Sequence, residues 1–141
     1  MARDLLPAVT DKGLELSLEL PETSARAFID ADRMQQVLHN LLENAIRYTE
    51  PGGRIVLRLS STRTEVKIEV SDTGIGISPA NLPFVFERFF RGDRARRTYS
   101  GGSGLGLSIV KWIVEAHKGE VSAASKAGEG TTFTVMLPLV I

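Results

Sequence analysis

Between Asp32 and Tyr48 the apolar residues fit one regular structure, an amphipathic helix. At about 100° per residue, Met34, Val37, Leu38, Leu41, Leu42, Ala45 and Ile46 share one side. Asn40, Glu43, Asn44 and Arg47 share the other. Asp32 with Gln35 resembles a capping box at the start. So broad an apolar face must be buried against a second layer, and the flanking sequence reads as strands that supply it. Residues 14–20 alternate strictly until Pro21, and residues 26–30 have room for a short second strand. After the Pro51-Gly52-Gly53 turn, residues 54–60 and 64–71 read as an antiparallel hairpin. Residues 120–125 and 131–139 form another strand pair around Lys126-Ala127-Gly128-Glu129-Gly130.

Three further helical stretches stand out. Leu5, Leu6 and Val9 suggest a short helix that Gly13 ends with a left-handed cap. Ser78-Pro79 opens a short irregular helix over residues 79–90. Residues 104–117 form a second long helix, with Leu105, Ile109, Trp112, Ile113 and Ala116 near one face. Trp112 is expected in the core. His117 and Lys118 suit that helix's C-terminus and Gly119 its cap. The sum is an α/β two-layer sandwich: a mixed, mostly antiparallel sheet of about five strands with about three helices on one face.

Composition narrows the chemistry. The 141 residues suit one domain, taken as 1–141, with 1–12 as the end of a linker or a first helix. Seventeen basic and 17 acidic residues cancel, which argues against a nucleic-acid binder. The absence of cysteine excludes disulfides, thiolate metal sites and cysteine nucleophiles. Two histidines, His39 and His117, are too few for a multi-histidine metal site. His117 reads as a helix-end residue and His39 as a packing or rim residue. No apolar run approaches the roughly 18 residues a membrane helix needs. The N-terminus has no signal-peptide core, and the start is abrupt. We expect a cytoplasmic, soluble piece of something larger.

Three features carry candidate chemistry. The polar face of the first long helix holds two asparagines, Asn40 and Asn44, flanked by Glu43 and Arg47. Solvent-facing amides would explain them equally well, but an amide oxygen can ligate Mg²⁺ when phosphates supply other ligands. Asp72-Thr73-Gly74-Ile75-Gly76 ends a strand. Alone it reads as an Asp-Gly turn; in company, Asp72 can accept from an amine and the glycines can admit a flat ring. Gly101-Gly102-Ser103-Gly104-Leu105-Gly106-Leu107 runs into a helix, and free N–H groups at a helix start attract an anion. No Gly-Lys-Ser/Thr follows, so this is not a P-loop.

In order and spacing, these features resemble the catalytic, ATP-binding domain of bacterial two-component sensor histidine kinases. That domain has the Bergerat-type fold shared with gyrase, the Hsp90 chaperones and the MutL repair proteins. The resemblance spans residues 13–139 or so. It rests on residues 36–48 as the N box, 72–76 as the first glycine box, 86–91 as the F box and 102–107 as the second glycine box. A closing Gly128-Glu129-Gly130-Thr131 completes it.

The resemblance implies ATP and Mg²⁺ as ligands, with ADP as product. Asn44 would ligate the metal, and Asn40 would sit one turn away near metal or phosphates. Arg47 would reach the phosphates, and Tyr48 would pack on the nucleotide. Asp72 would accept from the adenine amino group, assisted by Thr131. Gly74, Gly76, Ile77 and Phe86 would line the base site. Residues 87–103 would form an ATP lid containing Arg88, Arg91, Arg94, Arg96 and Arg97. Arg91 is the phosphate contact of choice; about half of these arginines read as a solvated basic loop. Gly102, Gly104, Leu105, Gly106 and Leu107 would cradle the phosphates. ATP should be preferred to GTP, because guanine sets a second acceptor against Asp72.

Kinase and ATPase are separated by one position. Hydrolytic members of the group usually carry a glutamate four residues before the metal-binding asparagine. Here Asn40 stands there, and it cannot be a general base at neutral pH. The resemblance therefore implies half of a protein-histidine kinase. Its γ-phosphoryl would go to a histidine on a separate dimerisation domain, then to a response regulator. Glu43 would assist that histidine. Neither His39 nor His117 lies in the family's phosphoacceptor motif, so the chain alone should bind ATP as a monomer and not phosphorylate itself. No nucleic acid and no direct membrane insertion are implied, although the parent would be membrane-anchored. A stand-alone anti-sigma-type serine kinase, an ATPase of the same group and a non-catalytic nucleotide-binding module remain open at this point.

Overall fold

Alternating apolar residues build the sheet in the computed structural model of the chain, which describes residues 7, 9–19, 31–87 and 106–138. Among the described residues five strands form: β1 (Glu15–Glu19), β2 (Arg54–Ser61), β3 (Glu65–Asp72), β4 (Glu120–Lys126) and β5 (Gly130–Pro138). Their order is β1-β2-β3-β5-β4. Only β1 and β2 run parallel; the other neighbours are antiparallel. A parallel pair needs a long crossover. Helix α1 (Ala31–Tyr48) lies in the β1–β2 connection, and helix α2 (Gly106–Ala116) precedes β4. The mixed α/β sandwich follows the expectation, with residues 9–12 supplying further helix ahead of β1.

Ile55, Leu57, Val66, Ile68, Val70, Phe133, Val135 and Leu137 form one buried sheet face. They share a core with Met34, Val37, Leu41, Leu42, Ala45 and Ile46 of α1 and Val110, Ile113 and Val114 of α2. The other face carries Arg58, Lys67, Glu69 and hydroxyl groups, and the Ser71 and Thr132 side chains bond across β3 and β5. The expected antiparallel hairpin around residues 61–64 is present, with Ser61 opposite Val66. In β1 the alternation holds only in part: Leu16 packs on the core, whereas Leu18 at the sheet edge is 54% exposed.

Several local expectations need correction. Trp112 is 63% exposed, not buried, and the Arg33 guanidinium lies 5.6 Å from its ring centroid. The α2 core seam is Val110, Ile113 and Val114, at i, i+3 and i+4. That seam turns Trp112 to the opposite side, and Ala116 is exposed as well. Asp32 lies within the first turn of α1 instead of preceding it as a cap. Among residues 79–87 the helical part is one 3₁₀ turn, Leu82–Phe84, where Pro83 removes a donor. Gly13 does take a left-handed conformation (φ 73°), closed by Gly13 N–H to Thr10 C=O (3.0 Å) and Leu14 N–H to Val9 C=O (3.0 Å). At the end of α2 the left-handed residue is Lys118 (φ 61°), not Gly119. Gly119 donates to Val114 C=O at 2.9 Å and serves a steric need: a Cβ there would lie 2.4 Å from Met136 O. The proposed strand 26–30, the lid beyond Glu87, and residues 104, 105 and 139 lie outside the described residues.

Two substitutions at this turn should therefore move stability in opposite directions. Gly119→Ala should destabilise the domain by roughly 1–3 kcal/mol through overpacking. Lys118→Gly should stabilise it by about 1 kcal/mol by relieving the left-handed conformation. Thermal unfolding of the two variants checks both signs.

Candidate functional site

The polar end of the sheet is built as one row. Asp72 closes β3 opposite Thr131, and Thr131 lies opposite Ser125 of β4. Asp72 and Thr131 are buried polar residues. Asp72 Oδ1 accepts from the backbone N–H of Gly74 (2.9 Å) and of Thr131 (3.3 Å). Its other oxygen takes no hydrogen bond among the described residues. Burial raises the Asp72 carboxyl above the usual carboxylate range, and the two N–H bonds offset this only in part. An acceptor held this way suits a ligand N–H.

The turn after β3 is packed against the rest of the protein. Ile75 N–H donates to Tyr48 C=O (3.0 Å), and Gly128 N–H donates to Ile75 C=O (2.7 Å). A Cβ on Gly74 would lie 2.4 Å from Tyr48 O, and one on Gly76 2.2 Å from Lys126 O. Backbone packing inside the protein thus requires glycine at both positions, independently of any ligand ring. Ile77 N–H donates to Ser125 Oγ at 2.7 Å. Ser125 Oγ also meets Gly130 C=O (2.9 Å) and Thr131 Oγ1 (2.8 Å). Phe86 packs edge-on against Phe133, with centroids 5.9 Å apart.

The polar side of α1 is neither fully solvated nor part of the core: His39, Asn40, Glu43, Asn44, Arg47 and Tyr48 are all half-buried. Asn40 Nδ2 donates to Gly106 C=O at 3.3 Å, which ties α1 to the start of α2. Glu43 stands between Arg47 (3.0 Å) and His39 (3.5 Å) on the same face. The Asn44 amide makes no hydrogen bond among the described residues. Gly106 and Leu107 lie at the start of α2, and a Cβ on Gly106 would meet nothing within 4 Å. Packing among the described residues therefore does not demand a glycine at 106, unlike at 74 and 76. Arg91, Gly102, Gly104 and Leu105 lie outside the described residues.

The structure thus places Asn40 beside Gly106 and the C-terminal end of α1, at Tyr48, beside the Gly74 turn. Two contributors escaped sequence reasoning. Lys12 Nζ donates to Ile46 C=O (2.7 Å) and Arg47 C=O (3.0 Å), capping the C-terminal end of α1. Burial lowers its ammonium pKa, and Glu50 opposes that shift. A lysine beside a helix-ending glycine gives no sequence sign of such a long-range contact. Ser125 escaped because an alternating strand does not distinguish a hydroxyl that braces a turn from one that faces water.

Comparisons with known proteins bear on the family and the fold. The histidine kinase-, DNA gyrase B-, and HSP90-like ATPase family matches residues 29–141. The sensor protein SrrB of Staphylococcus aureus (strain NCTC 8325 / PS 47) is 42% identical over 128 residues, covering 91% of this chain and 22% of SrrB. The chain therefore spans about a fifth of that relative's length. A mycobacterial sensor histidine kinase, MprB, superposes with a TM-score of 0.84 at 31% identity, covering 98% of this chain and 92% of that one. Full-length ShkA in complex with AMPPNP superposes with a TM-score of 0.86 at 30% identity, covering 99% of this chain and 28% of ShkA. Among the described residues, no helix is long and apolar enough to cross a membrane. This chain belongs to the histidine kinase-, DNA gyrase B- and HSP90-like ATPase family, as a catalytic ATPase domain of the sensor-histidine-kinase kind.

Proposed function

We propose that the chain binds Mg-ATP and that, in a longer protein, it donates the γ-phosphoryl to a histidine on a separate dimerisation domain, for relay to a response regulator. The observation that carries this reading is Asp72: a buried carboxylate, clamped at one oxygen by two backbone N–H groups, with the other oxygen unspent within the described protein. The adenine amino group is a donor of the right kind, and such a charge-assisted bond contributes roughly 1.5–3 kcal/mol. ShkA, whose structure holds AMPPNP, lends support by likeness of fold.

The metal fits the donor set. Mg²⁺ favours oxygen ligands and uses few from protein when phosphates are present. The described residues hold no cluster of three His, Cys, Asp or Glu, but Asn44 offers an amide oxygen that accepts no hydrogen bond among them. Asn44 would hold the ion, whose chemistry there is neutralisation of phosphate charge. Arg47 would share its guanidinium between Glu43 and a phosphate. The start of α2 at Gly106 and Leu107 would receive phosphate oxygens, with Gly102, Gly104, Leu105 and Arg91 completing that side. Tyr48, Gly74, Gly76, Ile77, Phe86 and Thr131 would enclose the base.

Asn40 favours transfer over hydrolysis. Its amide donates to Gly106 C=O and has no basic group with which to activate water. Phosphoryl transfer depends mainly on positioning and charge neutralisation, so ATP can be held intact until a nucleophile arrives. Glu43 would orient the incoming histidine or take its proton. This domain would work on the cytoplasmic side of a membrane-anchored parent.

Two outcomes follow. Incubated with Mg²⁺ and γ-labelled ATP, the pure domain should bind nucleotide while the label stays in ATP. Free labelled phosphate over many turnovers would instead make it an ATPase. Asp72→Asn should lower ATP affinity roughly 10- to 100-fold while raising the melting temperature without nucleotide at pH 7. The sign follows from the raised carboxyl pKa: the folded state binds the extra proton, so that contribution is present below the unfolded pKa and lost as pH rises through the folded one. The stability gain of Asp72→Asn should therefore shrink toward acid pH, as calorimetry across pH would show.

A further inference from the structure

We propose that Ser125 is a specificity-determining residue: it commits the Thr131 hydroxyl proton inward, leaving beside Asp72 an acceptor-only row that selects a purine with an amino group at C6 over one with a carbonyl. The inference rests on the ATP reading above and adds a residue that the sequence motifs do not contain.

The argument is an accounting of protons. A serine hydroxyl has one proton to give and two lone pairs to receive. Ser125 Oγ has three neighbours: Ile77 N–H at 2.7 Å, Gly130 C=O at 2.9 Å and Thr131 Oγ1 at 2.8 Å. The Ile77 amide can only donate, and the Gly130 carbonyl can only accept. The Ser125 proton therefore goes to Gly130, and the contact with Thr131 is made by the Thr131 proton. Ser125 is then saturated, with two bonds accepted and one donated. Thr131 keeps only lone pairs.

Every other donor that these residues bring to the row is spent as well. Thr131 N–H and Gly74 N–H both go to Asp72 Oδ1. What remains for a ligand is the second Asp72 oxygen and the Thr131 lone pairs, all acceptors. The frame that holds Ser125 leaves little room for adjustment. Gly130 has φ 131°, and a Cβ there would lie 2.0 Å from the Asp72 carbonyl oxygen. Ser125 lies directly across β4–β5 from Thr131, which lies directly across β3–β5 from Asp72. Removing the Ser125 hydroxyl would free the Thr131 proton, and a rotatable hydroxyl would then donate to a base carbonyl.

The test compares dissociation constants of Mg-ATP and Mg-ITP for the domain, since inosine carries a carbonyl where adenine carries the amino group. Wild type should prefer ATP by tenfold or more. Ser125→Ala should reduce that preference at least threefold, and Ser125→Thr, which restores a hydroxyl, should keep it. A general loosening of the fold would weaken both nucleotides and leave the ratio in place. A wild-type preference below threefold would overturn the base-site reading itself. A clear wild-type preference that Ser125→Ala leaves intact would overturn the role of Ser125 alone. If Ser125→Ala fails to fold by circular dichroism, Ser125→Cys decides, because a thiol accepts the Thr131 proton only weakly: a reduced preference supports the proposal and an unchanged one overturns it.

Discussion

The fold and the site meet at a single buried carboxylate. Asp72 ends the strand that pairs with both β2 and β5. Its Oδ1 joins the turn at Gly74 to the start of β5 at Thr131. One residue further, Ile75 ties the same turn to the last carbonyl of α1. Ionised burial costs free energy that hydrogen bonds only partly return. A protein shaped for stability alone would place an amide there. Retaining a carboxylate with one oxygen unspent among the described residues makes sense if a ligand completes it.

The second constraint is how α1 is held. Its polar side faces the start of α2 through Asn40, and its C-terminal carbonyls are capped by Lys12 and Ile75. The residues proposed to meet metal and phosphate thus sit on a helix fixed at its far end by chain that precedes β1. Glu43 is paired with Arg47, which keeps the acid close to the proposed phosphates without leaving it an uncompensated charge. With an amide at position 40, the roles proposed for this surface are positioning, neutralisation of phosphate charge and, at Glu43, help to an incoming nucleophile, and these suit phosphoryl transfer to an external acceptor.

Much of this was legible in the sequence because two periodicities are strong. The apolar stripe of α1 and the alternation in β2, β3 and β5 each identify a buried face residue by residue. Motif spacing singles out Asp72, Asn40 and Asn44 as candidates. Periodicity alone allows Trp112 to share a face with Ile109, Ile113 and Ala116, and only the packing of α2 selects the Val110–Ile113–Val114 seam that leaves Trp112 exposed. The steric need for glycine at 74 and 76 was not legible, since the carbonyls of Tyr48 and Lys126 that a Cβ would meet are distant in sequence. Lys12 and Ser125 were invisible for the same cause. Each acts through one hydroxyl or ammonium whose partners are set by tertiary structure.

The central claim is that Asp72 is a buried carboxylate reserved for a ligand amine, and its titration tests that most directly. Carbon-detected NMR of the Asp72 carboxyl should give a pKa above the ordinary aspartate range without nucleotide, falling when Mg-ATP supplies a donor to the ionised form. A pKa that is ordinary from the start, or raised but unmoved by saturating Mg-ATP, would contradict the account.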